Sequence, residues 1–222
     1  MNKIKIYIDC GHGGKDSGAT NSVYYEKNYV LSVGLHLKKL LLETGKFDVR
    51  LSRETDVYKT LEQRTNDANS WGADIFISLH CNSSDNKSAL GIETYCYKFK
   101  YRKLADSIHN SLIEDKLFTK NRGVKEGNFH VIRESKMSAC LIELAFISNS
   151  QDLQLLQTKQ YEFAKSIYKG ILNYYNIKIE ISDKLYIVAT GAYKNIQNAK
   201  KDVEELKKKG FNSAYIHIDK EV

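Results

Sequence analysis

Two histidines and two carboxylates stand where a metal site with hydrolytic chemistry would need them. His12 follows a predicted strand near the N-terminus, His80 comes directly after a second apolar strand, and Glu143 comes directly after a third. Glu26 stands at the predicted start of a helix. Two histidines and one carboxylate make a catalytic zinc set with one position open for water, and the second carboxylate is then free to act as a general base.

Each of these residues also has a purely structural interpretation. His12 and His80 could be hydrogen-bonded polar residues at the edge of a sheet, and Glu26 could be a carboxylate favoured there by the helix dipole. Cys10 and Cys81 flank the histidines, and a thiolate is itself a strong zinc ligand. Spacing alone leaves these alternatives open, although three strands that each end at such a residue favour a shared site.

The elements that must position these residues alternate between strand and helix. Strands are predicted at 3–9, 47–51, 74–79, 91–97 and 138–142, and helices at 26–44, 61–71, 102–117 and 151–175. This alternation predicts an α/β fold with a mainly parallel or mixed sheet flanked by helices. Ligands of such sheets bind beyond the carboxyl ends of the strands, which is where His12, His80 and Glu143 are predicted to lie.

The composition changes after Tyr175 and predicts a second, smaller unit. A strand, a helix and a strand are predicted at 185–190, 196–209 and 214–218. A β-α-β unit of this size cannot bury a good core alone, so we expect it to pack on the main domain, on a second copy or on a partner. The predicted organisation is a main domain at 1–177, a linker at 178–184 and the small unit at 185–222.

The overall composition excludes several classes of protein. With 42% hydrophobic and 27% charged residues, the 222-residue chain is neither collagen-like nor largely disordered. No stretch approaches the roughly 18–20 apolar residues that span a bilayer, and the N-terminus lacks the apolar segment of a secretory signal. We therefore expect a chain that is made in the cytoplasm and acts elsewhere only after release.

The formal net charge of +7 favours polyanionic partners without identifying one. Nucleic acid is not a predicted partner, because the basic residues are interspersed with acidic ones and no nucleic-acid-binding motif occurs. The four cysteines lack the spacing of a paired zinc motif and are interpreted as reduced, mostly buried thiols. The remaining histidines are expected to be structural or exposed; they are His36, His109, His130 and His217.

Three motifs occur in order along the main domain. They are Asp9-Cys10-Gly11-His12-Gly13-Gly14 followed by Glu26, then Ile77-Ser78-Leu79-His80-Cys81-Asn82, then Glu143-Leu144-Ala145-Phe146-Ile147-Ser148-Asn149. Together they resemble the zinc-dependent N-acetylmuramoyl-L-alanine amidases of cell-wall hydrolysis and phage lysis. This chain departs from the family pattern at Ala145, where a glycine is usual, and at Cys81.

The resemblance implies a peptidoglycan hydrolase with Zn²⁺ as its cofactor. It implies His12, Glu26 and His80 as zinc ligands, and Glu143 as the catalytic carboxylate that takes a proton from zinc-activated water. The implied reaction cleaves the amide bond between N-acetylmuramic acid and the L-alanine of the stem peptide. Contacts with the substrate are expected at Asn82, Arg53 and Lys125.

Residues 185–222 resemble about half of a SPOR-type peptidoglycan-binding domain, which implies wall binding or a homodimer formed through these residues. Two alternative functions stay open, namely a non-catalytic peptidoglycan-binding module and another zinc amidohydrolase or peptidase that acts on the wall. The presence of all four residues of the site favours an enzyme. The expected route to the wall is release by a phage holin or by lysis of a mother cell.

Overall fold

The computed structural model describes residues 3–178, 195–210 and 216, and the chain divides into two compact units, Met1–Lys178 and Ile179–Val222. The strands described in the first unit are β1 (Ile4–Cys10), β2 (Thr20–Asn21), β3 (Tyr24–Tyr25), β4 (Phe47–Leu51), β5 (Ile75–Asn82), β6 (Ile92–Cys96), β7 (Asn121–Glu126) and β8 (Ser138–Phe146). The helices described there are α1 (Glu26–Glu43), α2 (Leu61–Trp71), α3 (Lys103–Glu114), α4 (His130–Arg133), α5 (Ser150–Thr158) and α6 (Gln160–Tyr174).

The first unit confirms the predicted α/β fold. Six strands form one sheet in the order β4-β1-β5-β8-β6-β7, in which only the β6–β8 pair is antiparallel. Strand β4 lies next to β1 on one side, and β5, the next strand of this sheet along the chain, lies next to β1 on the other side. Such a reversal of strand order leaves a crevice at the carboxyl ends of the strands.

The two faces of the sheet are covered by different helices. The alternation of side chains along β1 places Ile6 and Ile8 in a core with α1, α3 and α6, and places Tyr7 in a second core beneath α2 and α4. The ring of Tyr7 stacks on that of Phe76 with 5.4 Å between centroids. Both faces of the central strands are therefore buried, which explains their nearly continuous apolar sequences.

Three predicted features differ from the structure. The helix predicted at 151–175 is two helices, α5 and α6, because the backbone leaves the helical conformation at Lys159 (φ −122°, ψ 25°). Strands β5 and β8 continue beyond the predicted ends, since His80 pairs with Glu143 and Asn82 with Phe146 in the ladder. Both His80 and Glu143 thus lie inside strands rather than after them.

The second unit is described only at residues 195–210 and 216. Its helix α7 (Ile196–Lys208) confirms the helix predicted at 196–209, and Gly210 follows its end with a φ of +95°. The strands predicted at 185–190 and 214–218 fall on residues outside those described, apart from residue 216. Among the described residues no helix is both long enough and apolar enough to cross a membrane.

Candidate active site

Three donor side chains converge at the carboxyl ends of β1 and β5. Oε1 of Glu26 lies 3.2 Å from Nε2 of His12 and 2.9 Å from Nδ1 of His80. The donor atoms of these three side chains all lie within 4.8 Å of one another. No other group of three or more histidine, cysteine or acidic side chains does so among the described residues. The structure therefore brings together the three residues that the sequence predicts as metal ligands.

Glu26 is a buried carboxylate held in place from two sides. It begins α1, and its Oε1 and Oε2 accept hydrogen bonds of 2.8 Å from the backbone N–H groups of Cys81 and Ala19. Burial acts to raise its pKa, but the hydrogen bonds and charges of His12 and His80 outweigh burial and hold the pKa well below its usual range. Glu26 is therefore ionised at neutral pH, which is the form that binds a cation.

The imidazole of His12 is oriented by a carboxylate that the sequence analysis did not select. Nδ1 of His12 lies 2.9 Å from Oδ2 of Asp16, which leaves Nε2 facing Glu26. A histidine that binds a metal almost always donates its other ring N–H to such an acceptor. Asp16 stands four residues after His12 in the same glycine-rich loop, and that spacing was its only signal in the sequence.

Two buried arginines hold the loop that carries His12. Arg64 donates from Nη1 to Asp9 and from Nη2 to the carbonyl oxygen of His12, at 2.7 and 2.8 Å. Arg53 donates from Nη2 to the carbonyl oxygen of Gly11 at 2.9 Å and from Nε to that of Cys10 at 3.1 Å. Arg53 is only 3% exposed. Its guanidinium supports this backbone, and whether it also contacts a substrate carboxylate stays a prediction.

Close approach of the backbone explains two glycines of the site. A Cβ atom at Gly11 would lie 2.8 Å from both ring nitrogens of His80. Gly18 has a φ of +65°, and a Cβ there would lie 2.6 Å from Oε2 of Glu26 and from Cδ2 of His12. Any larger residue at either position would displace a candidate ligand.

Glu143 supplies a second carboxylate beside the three donors. It pairs with His80 in the parallel β5–β8 ladder and with Glu93 in the antiparallel β6–β8 ladder. Its Oε2 is buried and has no hydrogen-bond partner within the described part of the chain. Burial raises the pKa of Glu143 to about 7, and the negative charges of Glu26 and Glu93 act in the same direction. A carboxyl group with this pKa can both accept and donate a proton near neutral pH.

The other predicted substrate contacts, Asn82 and Lys125, converge on Glu93. The side-chain amide of Asn82 donates to Oε1 of Glu93 at 2.6 Å, and the ammonium group of Lys125 pairs with Oε2. Both predicted residues therefore lie close to Glu143 through the β6–β8 ladder. Whether either contacts the substrate stays a prediction.

Among the residues that the structure describes, the cysteines and the other histidines do not join the group of donors. Burial raises the pKa of the Cys10 thiol to about 12 and that of Cys81 well above its usual value, which opposes the thiolate form. His109 is buried between Thr94 and Asn121. The donor set of this site is thus two imidazoles and one carboxylate, a combination that suits a divalent metal ion of the first transition series or zinc.

Known proteins resemble this chain in sequence and in fold. Residues 6–173 match the model of a family described as Amidase_3, N-acetylmuramoyl-L-alanine amidase. The chain belongs to this amidase family. The match covers β1 to α6 and includes all four residues of the candidate site.

Individual relatives of the amidase match it over most of its length. It is 38% identical over 222 residues to the sporulation-specific N-acetylmuramoyl-L-alanine amidase of Bacillus subtilis, which covers 97% of this chain and 86% of that protein. The amidase CwlM of Bacillus licheniformis is 37% identical over 226 residues, which cover 97% of this chain and 86% of that protein. One solved structure that resembles this chain is the catalytic domain of CwlV, an N-acetylmuramoyl-L-alanine amidase from Bacillus (Paenibacillus) polymyxa var. colistinus. It superposes with a TM-score of 0.76 at 35% identity and covers 79% of this chain and 99% of that one.

Proposed function

We propose that this amidase hydrolyses the amide bond between N-acetylmuramic acid and L-alanine in peptidoglycan, with zinc held by His12, Glu26 and His80 and with Glu143 as the general base. The observation that carries the proposal is the cluster of three donor atoms within 4.8 Å, beside a carboxylate that has a buried, unpartnered oxygen. Three protein ligands of these types leave one coordination position free, as catalytic zinc sites require.

The residues of the chain then have separate tasks in the reaction. When bound, zinc supplies Lewis acidity, which polarises the scissile carbonyl group and makes water more acidic. Glu143 accepts a proton from the attacking water as the new C–O bond forms, and it donates a proton to the alanine nitrogen as the C–N bond breaks. The products are the lactyl carboxylate of muramic acid and a free L-alanine amino group.

The raised pKa of Glu143 supports both proton transfers. At about 7, it lies between the pKa of an ordinary carboxyl group and that of an amine, so neither transfer is strongly uphill at neutral pH. Asp16 holds the ring of His12 in the orientation that leaves Nε2 free for zinc. The arginines beneath the loop fix its backbone, and with it the position of that ring.

The relatives favour a role in wall lysis. The sporulation-specific amidase of Bacillus subtilis matches 97% of this chain, whereas the endolysin of Bacillus phage SPP1 is 32% identical over 80% of it. Release by lysis of a mother cell and release by a phage holin both remain part of the proposal. Wall binding or homodimer formation through residues 185–222 remains a further part of the proposal.

Digestion of purified peptidoglycan tests the bond that is cleaved. New L-alanine amino termini and new reducing sugars are quantified after incubation with the protein, with and without a chelator and with zinc restored. We expect alanine amino termini alone, their loss with the chelator and their return with zinc. Chelator-sensitive release of other amino termini would indicate a zinc peptidase instead, and wall binding without any release would indicate a binding module.

A further inference from the structure

A second buried carboxylate lies beside Glu143 and takes no direct part in the proton transfers above. Glu93 is 3% exposed and faces Glu143 across the antiparallel β6–β8 pair. Its Oε2 accepts from Nε of Arg122 at 2.7 Å and from the ammonium group of Lys125, and its Oε1 accepts from the hydroxyl group of Tyr95 at 2.8 Å. Two cations thus share one carboxylate next to the proposed general base.

A β-bulge brings the two cations to the same side of the sheet. Arg122 and Lys125 are three residues apart, so a regular strand would direct them to opposite faces. The pairs that flank the irregularity are Ile92 with Asn121 and Thr94 with Val124. Two residues of β7, Arg122 and Gly123, therefore stand opposite Glu93 alone.

The glycine of the bulge is there for its backbone conformation. Gly123 has a φ of +80°, and a Cβ atom at this position would meet nothing within 4 Å. Space is thus not the constraint, whereas the left-handed backbone is one that glycine adopts without strain. Bulges beside active sites commonly redirect a side chain, and this one directs Arg122 onto Glu93 together with Lys125.

The pair of cations retains capacity for a second anion. Glu93 takes one N–H of Arg122 and one of Lys125, out of five and three. Among the residues that the structure describes, the only other acceptor of either side chain is the carbonyl oxygen of Leu90, 3.4 Å from Nη1 of Arg122. The two side chains are 29% and 38% exposed, and together with Glu93 they leave one net positive charge. The charged N–H donors of an arginine and a lysine that lie side by side are suited to bind a carboxylate.

The spacing of the strands indicates which carboxylate of the substrate would reach this pair. Adjacent strands lie about 4.8 Å apart, so β7 is about 10 Å from β8, and its two cations reach back toward β6. An extended peptide advances about 3.3–3.6 Å per residue, which places the residue after L-alanine about 7 Å from the scissile bond. We propose that Arg122 and Lys125 bind the free carboxylate of that second stem residue and select substrates in which it is not amidated. This inference rests on the function proposed above.

The test compares two muramoyl peptides that differ only in this group, one with a carboxylate and one with a carboxamide on the second residue. We expect the zinc-loaded wild type to prefer the peptide with the carboxylate by about tenfold in kcat/KM. This is the effect expected of one charge-assisted hydrogen bond. Lys125→Met and Arg122→Gln should each lower this ratio towards one. Lys120→Met is the matched control, because that lysine is exposed and the described ion pairs of Glu93 are with Arg122 and Lys125; its ratio should stay at the wild-type value.

A variant of the shared carboxylate should change the ratio in the opposite direction. Glu93→Gln removes the internal anion that competes for both cations, so the preference for the carboxylate should increase beyond that of the wild type. The ratio compares two substrates on one protein, and any loss of stability or of turnover in a variant cancels from it. A merely structural ion network would change the stability of these variants and leave the ratio unchanged.

Equal kcat/KM for the two peptides in the wild type would overturn the inference, as would an unchanged ratio in Lys125→Met and Arg122→Gln. Failure of the proposed function gives a different result, in which the wild type hydrolyses neither peptide. In that case the affinities of zinc-loaded Glu143→Gln for the two peptides, measured by calorimetry, still decide the inference. A tenfold preference that is lost with Lys125→Met supports it, and equal affinities contradict it.

Discussion

The orientation of one imidazole ring depends on a carboxylate outside the donor set. Asp16 lies 2.9 Å from Nδ1 of His12 and is partly exposed, so it contributes more to the ring's orientation than to the free energy of unfolding. Such partners of metal-binding histidines typically account for 10–100-fold in metal affinity.

We therefore expect Asp16→Asn to lower the zinc affinity roughly 10–100-fold while changing the free energy of unfolding by less than about 1 kcal/mol. Competition with a chromogenic chelator measures the affinity. Asp48→Asn is the matched control, since Asp48 is similarly exposed and its salt bridge is with Lys3, at 3.6 Å. Equal affinities of the two variants would show that Asp16 does not orient the ligand.

The sequence was informative about the ligand residues and less so about their partners. His12, Glu26 and His80 could be considered because they follow apolar strands or begin a helix, and the resemblance to the amidases decided among the alternatives that spacing left open. Asp16 and Glu93 could not, since their roles depend on the path of a turn and on pairing between distant strands. The backbone contacts of Arg53 could not be predicted either, because an arginine near a site looks the same in sequence whether it faces the substrate or the backbone.

Among the elements, the loop between β1 and β2 has little room for added atoms at Gly18. Gly18 and Gly45 have nearly the same backbone conformation, with φ values of +65° and +68°. They differ in their surroundings, because a Cβ at Gly18 would meet two candidate ligands and one at Gly45 would meet nothing within 4 Å.

We expect Gly18→Ala and Gly45→Ala each to lose about 1–2 kcal/mol of unfolding free energy from left-handed strain. Only Gly18→Ala should also lose zinc affinity, because its methyl group would press on Glu26 and His12. Urea denaturation and zinc titration of both variants separate the two effects. Unimpaired zinc binding in Gly18→Ala would mean that the loop relaxes without moving the ligands.

Elements with strong apolar patterns were predicted well, and those without them were missed. Strands β1 and β5 are buried on both faces, so their apolar runs were clear in the sequence. Strand β7 is polar and only partly buried, and it carries a bulge, so it has no alternating pattern to detect. The break at Lys159 between α5 and α6 left the helical spacing of apolar residues intact on both sides and was therefore invisible.

At the scale of the whole molecule, Glu93 connects strands that come from separate parts of the chain. Burial acts to raise its pKa, but hydrogen bonds from Lys125, Arg122 and Tyr95 prevail and lower it to about 2, from 4.5. A carboxylate with a lowered pKa stabilises the folded state fully above the pKa of the unfolded chain, and this stability is lost as the pH falls towards 2.

Glu93→Gln should therefore cost on the order of 2–3 kcal/mol of unfolding free energy at pH 6 and progressively less between pH 4.5 and pH 2. Urea denaturation of wild type and variant across this range measures the difference. Glu54→Gln serves as the control, because Glu54 is exposed in its pair with Lys38 and should cost under about 1 kcal/mol at every pH. A cost for Glu93→Gln that does not vary with pH would contradict the assignment of its lowered pKa.

The Glu143→Gln variant tests the central claim most directly. The claim is that His12, Glu26 and His80 bind zinc, whereas Glu143 acts only as the general base. Zinc content and release of L-alanine amino groups from peptidoglycan are measured on the same preparation, beside the wild type. We predict about one zinc per chain in both proteins and a rate for the variant that is lower by roughly 10²–10⁴-fold. A zinc-loaded Glu143→Gln protein with wild-type activity would contradict the account, as would a variant that folds but no longer binds zinc.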